Sequence, residues 1–333
     1  FVTTEITLKV AERLRTSILK CYYFDVRRLR RNLTFNGVDI LIAELENKLY
    51  RSVFYSQGEI YITISELKNQ LYVIREIIIN KHQSLYLDSV NSLIQKVNTF
   101  GFHFASLDIR QNSKIHNKVF KDIVNQLVLD GKSNFPQNYF ELSEVEKFLV
   151  LEKINCDVSP QLFKDEITIS TLESIRAIKT IQENNGELGA NRYIISNNES
   201  ALNVMETLSL FKLSNWQNPS VDIVPLFESV DDLQNAHTIL EQLYTNQSYR
   251  NHLKQREDKQ TVMLGFSDGT KDGGYLMANW SIFKAKESIT EISRSYGIKV
   301  VFFDGRGGPP ARGGGKTHKF YASLGSTIEN QEI

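Results

Sequence analysis

A chain of 333 residues with 41% hydrophobic content is long enough for two domains or one large α/β unit, and it can bury a sizeable core. Lys+Arg and Asp+Glu balance at 39 each, so net charge draws the chain neither to nucleic acid nor to an anionic membrane surface. Two cysteines, Cys21 and Cys156, make neither a disulfide framework nor a zinc cluster, and no apolar run approaches membrane-spanning length.

The cysteine usage points to a reducing compartment, hence the cytoplasm. The amino-terminal stretch FVTTEITLKVAERLRTS is amphipathic and charged, unlike a secretory signal. The chain opens on Phe1 and not on Met, as expected of a piece of a longer protein.

Residues 1–100 read as helical. Val10, Leu14, Ile18 and Cys21 follow spacings of four, four and three, which predicts one apolar helix face. Arg13, Lys20, Arg27, Arg28, Arg30 and Arg31 lie mostly off that face, as a solvated side would. After the turn signal Asn36-Gly37, Leu41, Leu45 and Leu49 predict a second helix. Ser65 is the expected N-cap of a third, with Leu67, Leu71 and Ile74 inward, and 85–97 is a fourth.

The pattern changes at Phe102. A strand is predicted over 104–109, with Arg110 the first residue at its mouth, and helices follow over 113–129, 144–154 and 169–184. Strands at 193–196, 222–227, 262–266 and 298–303 then alternate with helices at 201–213, 231–244 and 272–296. Five βα units in succession imply a parallel sheet with right-handed crossovers. A doubly wound sheet and a (β/α)8 barrel are both compatible with this. Charged residues at the carboxyl ends of the strands favour the barrel, which needs eight strands where this chain supplies about five. The expected fold class is therefore α/β with a large helical portion, a helical layer over 1–100 followed by a partial (β/α)8 TIM-like barrel over 101–333.

Glu228 follows the strand VPLF and Asp268 follows MLGFS, so successive units would place both carboxylates at one mouth. Such a pair can share a hard divalent cation, and each can equally serve as a first-turn helix acid. Arg110, Lys271, Arg306, Arg312 and Lys316 stand at strand ends or in the glycine-rich turns. Guanidinium forks match phosphate oxygens, and glycines let backbone N–H groups approach an anion. The alternative for the last loop is a mobile linker with solvated arginines. Gly315-Lys316-Thr317 resembles the end of a nucleotide-binding phosphate loop, which would make the 308–317 segment part of a nucleotide hydrolase. That motif requires glycine where Pro310 stands. The six histidines form no cluster; His82, His116, His237 and His252 are expected at helix surfaces or ends, His103 starts a strand, and His318 follows the glycine loop.

Four segments occur in order: FASLDIRQNS, VPLFESVDDLQNA, MLGFSDGTKDGG and FFDGRGGPPARGGGKTH. Together they closely resemble the central part of phosphoenolpyruvate carboxylase, and the resemblance extends over essentially the whole chain. It implies an irregular barrel of the phosphoenolpyruvate-binding type that joins bicarbonate to phosphoenolpyruvate, giving oxaloacetate and phosphate with Mg²⁺ or Mn²⁺. It further implies Glu228 and Asp268 as metal ligands, Arg110 and Arg306 on the substrate phosphate, and Lys271 in the same site with Arg306 as the catalytic pair. Arg312 would lie in the glycine loop on phosphate or an effector. The family's oligomer is a tetramer, so a homo-oligomer is expected, with no nucleic-acid or membrane partner.

Two departures stand out. The family usually carries His before the GRGG glycine, where this chain has Asp304, and Pro309-Pro310-Ala311 replaces small non-proline residues. The family's catalytic-histidine motif and its last barrel strands have no counterpart among these residues. The chain alone is therefore expected to be inactive, and a non-catalytic anion-binding module is the alternative reading.

Overall fold

The computed structural model describes residues 3–55, 61–131, 135–154, 156–305 and 316–329, without the side chains of 267–269, 272 and 317. These fall into two compact units, Phe1–Leu107 with Ala177–Asn191 and Asp108–Arg176 with Arg192–Ile333.

The first unit is helical. Helix α1 (Thr4–Asn32) starts at Thr3, whose hydroxyl accepts the Ile6 N–H and so satisfies one orphan donor of the first turn. Its buried face is Ala11, Ile18, Leu19, Tyr22, Tyr23, Val26 and Leu29. The predicted face is thus displaced: Ile18 is buried, but Val10 and Cys21 are exposed. The 29-residue helix buries a long stripe, and the four residues of the predicted face follow only one edge of it.

Helices α2 (Asp39–Phe54), α3 (Ile64–Lys81) and α4 (Leu87–Phe100) supply Leu45 and Leu49, Leu67, Leu71, Ile74 and Ile78, and Val90 and Val97, all fully buried in one aliphatic cluster. Each such side chain contributes about 1.5–3 kcal/mol on leaving water, and the cluster is this unit's main source of stability. The cap of α3 is Thr63 and not Ser65, because the Thr63 hydroxyl reaches the Glu66 N–H at 3.2 Å. The Tyr22 hydroxyl donates to the Gly101 carbonyl at 2.8 Å, which gives this buried phenol its polar partner.

The second unit carries a five-stranded, all-parallel sheet in the order β1 (Asp108–Asn112), β2 (Arg192–Ser196), β3 (Asp222–Phe227), β4 (Lys259–Leu264) and β5 (Lys299–Asp304). Helices α5 (Ser113–Asp130), α6 (Glu144–Glu152) and α7 (Glu166–Asn185) lie between β1 and β2 in the chain, α8 (Ala201–Leu213) follows β2, and α9 (Val230–Thr245) and α10 (Gln247–Gln255) follow β3. Helix α11 (Phe266–Ser295) joins β4 to β5, with a break at Gly274 (φ 77°, ψ 169°), and α12 (Thr317–Ala322) comes last.

Two strands differ from expectation. β1 begins four residues later than predicted, because Phe104 sits at φ 62° in a turn, and it runs on to Asn112, which puts Arg110 inside the strand. β4 begins at Lys259, since Lys259, Gln260 and Thr261 pair with Lys299, Val300 and Val301, and Phe266 already opens a helix. Helices α10 and α12 are short and were not expected.

The sheet is curled. The Arg192 guanidinium on β2 lies 5.6 Å from the ring of Phe303 on β5. Three strand spacings in a flat sheet would put them about 14 Å apart. Ile194, Val224 and Leu226 form a buried cluster on the concave side, with Met263 and Phe303 against it. Among the described residues no helix is long and apolar enough to cross a membrane.

Candidate functional site

In a parallel sheet every strand points its carboxyl end the same way, so the βα turns collect at one edge. Arg110 is the third residue of β1, and Glu228 is the first residue after β3. The Arg110 Nη2 donates to Glu228 Oε1 at 2.7 Å. The other carboxylate oxygen, Oε2, accepts the backbone N–H of Asn197 at 2.9 Å. Asn197 follows β2 in the left-handed region (φ 55°), which asparagine tolerates, and this conformation accompanies the donation of its N–H to Glu228. The Ser113 hydroxyl in turn donates to the Asn197 carbonyl. Three successive strand ends therefore converge on the Glu228 carboxylate.

Gly265, at the end of β4, completes this edge. Its N–H donates to the Phe227 carbonyl at 2.8 Å. A Cβ here would meet Glu228 Cγ at 3.1 Å, Glu228 Cα at 3.2 Å and the Phe227 carbonyl oxygen at 3.2 Å. A side chain here would press on Glu228 and on the backbone of β3, and glycine avoids that. Asp268 is the third residue of α11, in its first turn beside this point, but its side chain lies outside the described residues. Lys271, one turn on, is exposed. Arg306 and Arg312 fall in 306–315 and also lie outside the described residues. Lys316 and His318, which follow, are exposed. Of the expected site residues, then, Arg110 and Glu228 are brought into contact.

A second ion pair stands at the end of β5. Asp304 is the last residue of that strand, and Lys286 comes from α11. The Lys286 Nζ lies 2.8 Å from Asp304 Oδ1 and 2.9 Å from Oδ2, and the Tyr321 hydroxyl donates to Oδ2 at 3.1 Å. The two charged side chains are 2% and 4% exposed. The ammonium also sits over the rings of Phe302 and Tyr321, at 5.2 and 6.0 Å from their centres. Sequence reasoning noticed Asp304 as a departure and missed Lys286, which looks like any polar position on a long amphipathic helix.

Two of the histidines expected at helix surfaces or ends are buried. His116 is fully buried, with Nε2 at 2.9 Å from the Tyr193 hydroxyl and Nδ1 at 3.2 Å from the Thr207 hydroxyl; burial pushes its pKa down to about 3, so it is a neutral core residue. His252 is 5% exposed, and burial and then the Arg256 charge lower it to about 4. Glu206 on α8 is also buried. Desolvation pushes its carboxyl up to about 7, against a smaller downward pull from the Lys147 charge. Asn117, with its amide nitrogen turned to the carboxylate, donates to Glu206 Oε2 at 3.0 Å.

Among the described residues no three His, Cys, Asp or Glu side chains gather as a metal centre. Mg²⁺ commonly takes only one or two protein carboxylates and fills its shell with water and substrate oxygens, so the relevant test is the donor at Glu228. Its oxygens are hard donors held at a strand mouth, and the side chain of the arginine that covers one of them is 48% exposed. The residue fits a hard divalent cation, with Arg110 as the group the ion would displace.

The fold and this edge define a parallel α/β protein with a curled sheet and a carboxylate–guanidinium pair at its carboxyl ends. The model of the phosphoenolpyruvate carboxylase family matches residues 41–327, and the chain belongs to that family. It is 30% identical to the phosphoenolpyruvate carboxylase of Nitrosomonas eutropha, over 96% of this chain and 39% of that protein. Against the enzyme of Nitrosomonas europaea the identity is 29% over the same shares. The carboxylase of Corynebacterium glutamicum is 37% identical over 69% of this chain and 26% of its own length. The chain thus spans 39% of the length of the two Nitrosomonas relatives.

Proposed function

We propose that this protein carboxylates phosphoenolpyruvate with bicarbonate, giving oxaloacetate and phosphate, in the cytoplasm and with Mg²⁺ or Mn²⁺. In this reading the curled sheet is part of a (β/α)8 barrel. Glu228 and Asp268 hold the cation. Arg110 and Arg306 hold the substrate phosphate, Lys271 and Arg306 work at the reacting groups, and Arg312 binds phosphate or an effector in the glycine loop. The cation supplies Lewis-acid neutralisation of negative charge on substrate oxygens. Bicarbonate attacks phosphorus, charge builds on the phosphoryl oxygens, and guanidinium donors held in place stabilise it. The complete protein would assemble as a homo-oligomer. The isolated chain would bind ligands without turning them over.

The observation that carries this reading is the 2.7 Å contact of Arg110 with Glu228 in a chain of this family. It sets a phosphate-binding type of side chain against a cation-binding type at one strand edge. Each neutralises the other, and each would find a better-matched partner if a cation and a phosphate ester were bound, Glu228 on the cation and Arg110 on the phosphate. Bicarbonate-dependent oxaloacetate formation by the complete protein tests it. Glu228→Gln should lower kcat/KM by roughly a hundredfold or more, on the scale of losing one group that stabilises transition-state charge. Unimpaired turnover in that variant would remove Glu228 from the site.

A further inference from the structure

We propose that a cavity at the amino-terminal edge of the sheet binds a small polyhydroxylated monocarboxylate, a molecule of sugar-acid type, with its carboxylate on Lys212. The proposal goes beyond the carboxylase reading and does not depend on it. The cavity has a volume of about 370 Å³, within the range of small-molecule sites. Its wall joins Glu152 at the end of α6, Lys212 near the end of α8, residues 217–219 before β3 and one side of α10. In a βα unit the helix carboxyl ends and the strand starts lie at the edge away from the βα turns. The cavity is therefore separated from Glu228 by the length of β3, six residues or about 20 Å.

Two side chains set the charge of the ligand. The Lys212 Nζ donates to the Ser248 hydroxyl at 2.9 Å and forms no ion pair among the described residues, so two of its three ammonium hydrogens are left for an anion. Desolvation lowers its pKa, against a smaller upward pull from the Glu152 charge, so this ammonium lacks both full hydration and a bonded counter-ion. Glu152 also lines the cavity, its Oε1 taking the Asn246 side-chain amide at 2.9 Å. One ammonium beside one carboxylate accepts a single negative charge and opposes a second. His252, in the same wall, adds no charge, because burial keeps it neutral.

The amides set the rest. Gln255 Nε2 donates to Asn218 Oδ1 at 3.1 Å, and Gln247 Nε2 donates to Asn251 Oδ1 at 2.9 Å. Each bond holds two side chains and leaves an Asn nitrogen and a Gln oxygen for other partners. A wall that offers donors and acceptors together matches hydroxyl groups, which do both, whereas a phosphate dianion could use only the donors.

Calorimetric titration of the complete protein with gluconate tests this, with hexanoate (the same chain length without hydroxyls), sorbitol (hydroxyls without charge) and inorganic phosphate as displacers. Gluconate should bind with Kd near about 1 mM, the scale for a ligand of its size. Hexanoate and sorbitol each lack one matched feature, and phosphate brings a second charge, so each should displace gluconate at least about tenfold more weakly than gluconate binds. Lys212→Met should weaken gluconate by about tenfold or more with the melting temperature near the parent's. Glu152→Gln keeps an oxygen for Asn246 and tests the charge rule even if Lys212→Met fails to fold. It should tighten gluconate by about two- to threefold and improve displacement by phosphate by more. No binding of gluconate at about 10 mM, displacement by hexanoate, sorbitol or phosphate as effective as gluconate itself, gluconate binding that survives Lys212→Met, or unchanged discrimination against phosphate in Glu152→Gln overturns the proposal.

Discussion

Two ion pairs stand at the same edge of one sheet, with nearly equal contact distances and opposite surroundings. Arg110 and Glu228 meet at 2.7 Å with 48% and 19% of their side chains exposed. Lys286 and Asp304 meet at 2.8 Å with 2% and 4% exposed. An exposed pair is worth about 0–1 kcal/mol, is screened by salt, and can open to admit a ligand. A buried pair has given up its hydration and cannot lose one member cheaply. Separation alone does not tell the two pairs apart; access to water does. The open pair is suited to exchange its partners, and the closed pair is suited to hold β5 and α12 still.

The largest expected effect breaks the closed pair. Lys286→Met or Asp304→Asn alone should cost about 3–5 kcal/mol in chemical denaturation, since each strands one buried charge. A loss under about 1 kcal/mol would mean that the pair is as dispensable as an exposed one.

Glu206 sharpens the contrast, because it is buried like Asp304 but forms no ion pair among the described residues. Its folded pKa, raised to about 7 from 4.5, means that the folded state holds a proton the unfolded chain has lost. Stability from this group is therefore fully present below pH 4.5 and is lost as pH rises through about 7. Glu206→Gln should gain on the order of 2–3 kcal/mol at pH 8 and nothing at pH 4. His116 and His252 work the other way. Their folded pKa values of about 3 and 4 lie below the ordinary 6.5, so stability is lost as pH falls below 6.5. Melting temperature against pH should accordingly keep its acid limb in Glu206→Gln and lose its alkaline one.

Gly265→Ala probes the packing behind the open pair. Contacts of 3.1–3.2 Å to Glu228 and to a backbone oxygen would make a methyl push these atoms aside by a few tenths of an ångström, so a loss of about 1–3 kcal/mol is expected, together with weakened Mn²⁺ binding in titration. Smallest of all is Arg110→Ala, which should change stability by less than about 1 kcal/mol while raising KM for phosphoenolpyruvate. A destabilisation as large as that of Lys286→Met would erase the distinction between the two pairs.

The alternation of strands and helices was legible because apolar runs such as Ile223–Phe227 are bounded by polar turns, and five of them in series leave little choice but a parallel sheet. Glu228 was legible as a strand-end charge, whereas Arg110, expected at a strand mouth, stands inside β1. Strand starts were not, since Phe104 has strand chemistry but takes φ 62°, and Lys259 has loop chemistry but pairs with Lys299. At Lys259 tertiary pairing overrides local propensity, and at Phe104 a local bond from its N–H to the Phe100 carbonyl at 2.8 Å holds the turn after α4. The role of Asn197 lies in its backbone N–H, which has no sequence signature. Lys286 was invisible for a related reason: its partner is a strand end, so neither its helical period nor its neighbours mark it. His116 read as a helix-surface residue because its hydroxyl partners come from Tyr193 and Thr207, far away in the chain.

The first unit is discontinuous along the chain: it stops at Leu107 and resumes at Ala177. One of its closing contacts is the Asn185 side-chain amide donating to the Ala11 carbonyl at 2.9 Å, across 174 positions. Emerging from a ribosome, the four leading helices would be complete long before that last piece exists. Local helix pairing can proceed at once, but final closure waits on synthesis of the intervening segment. The order in which this bundle matures is thus set by translation as well as by packing, and a pause before residue 177 would prolong its unfinished state.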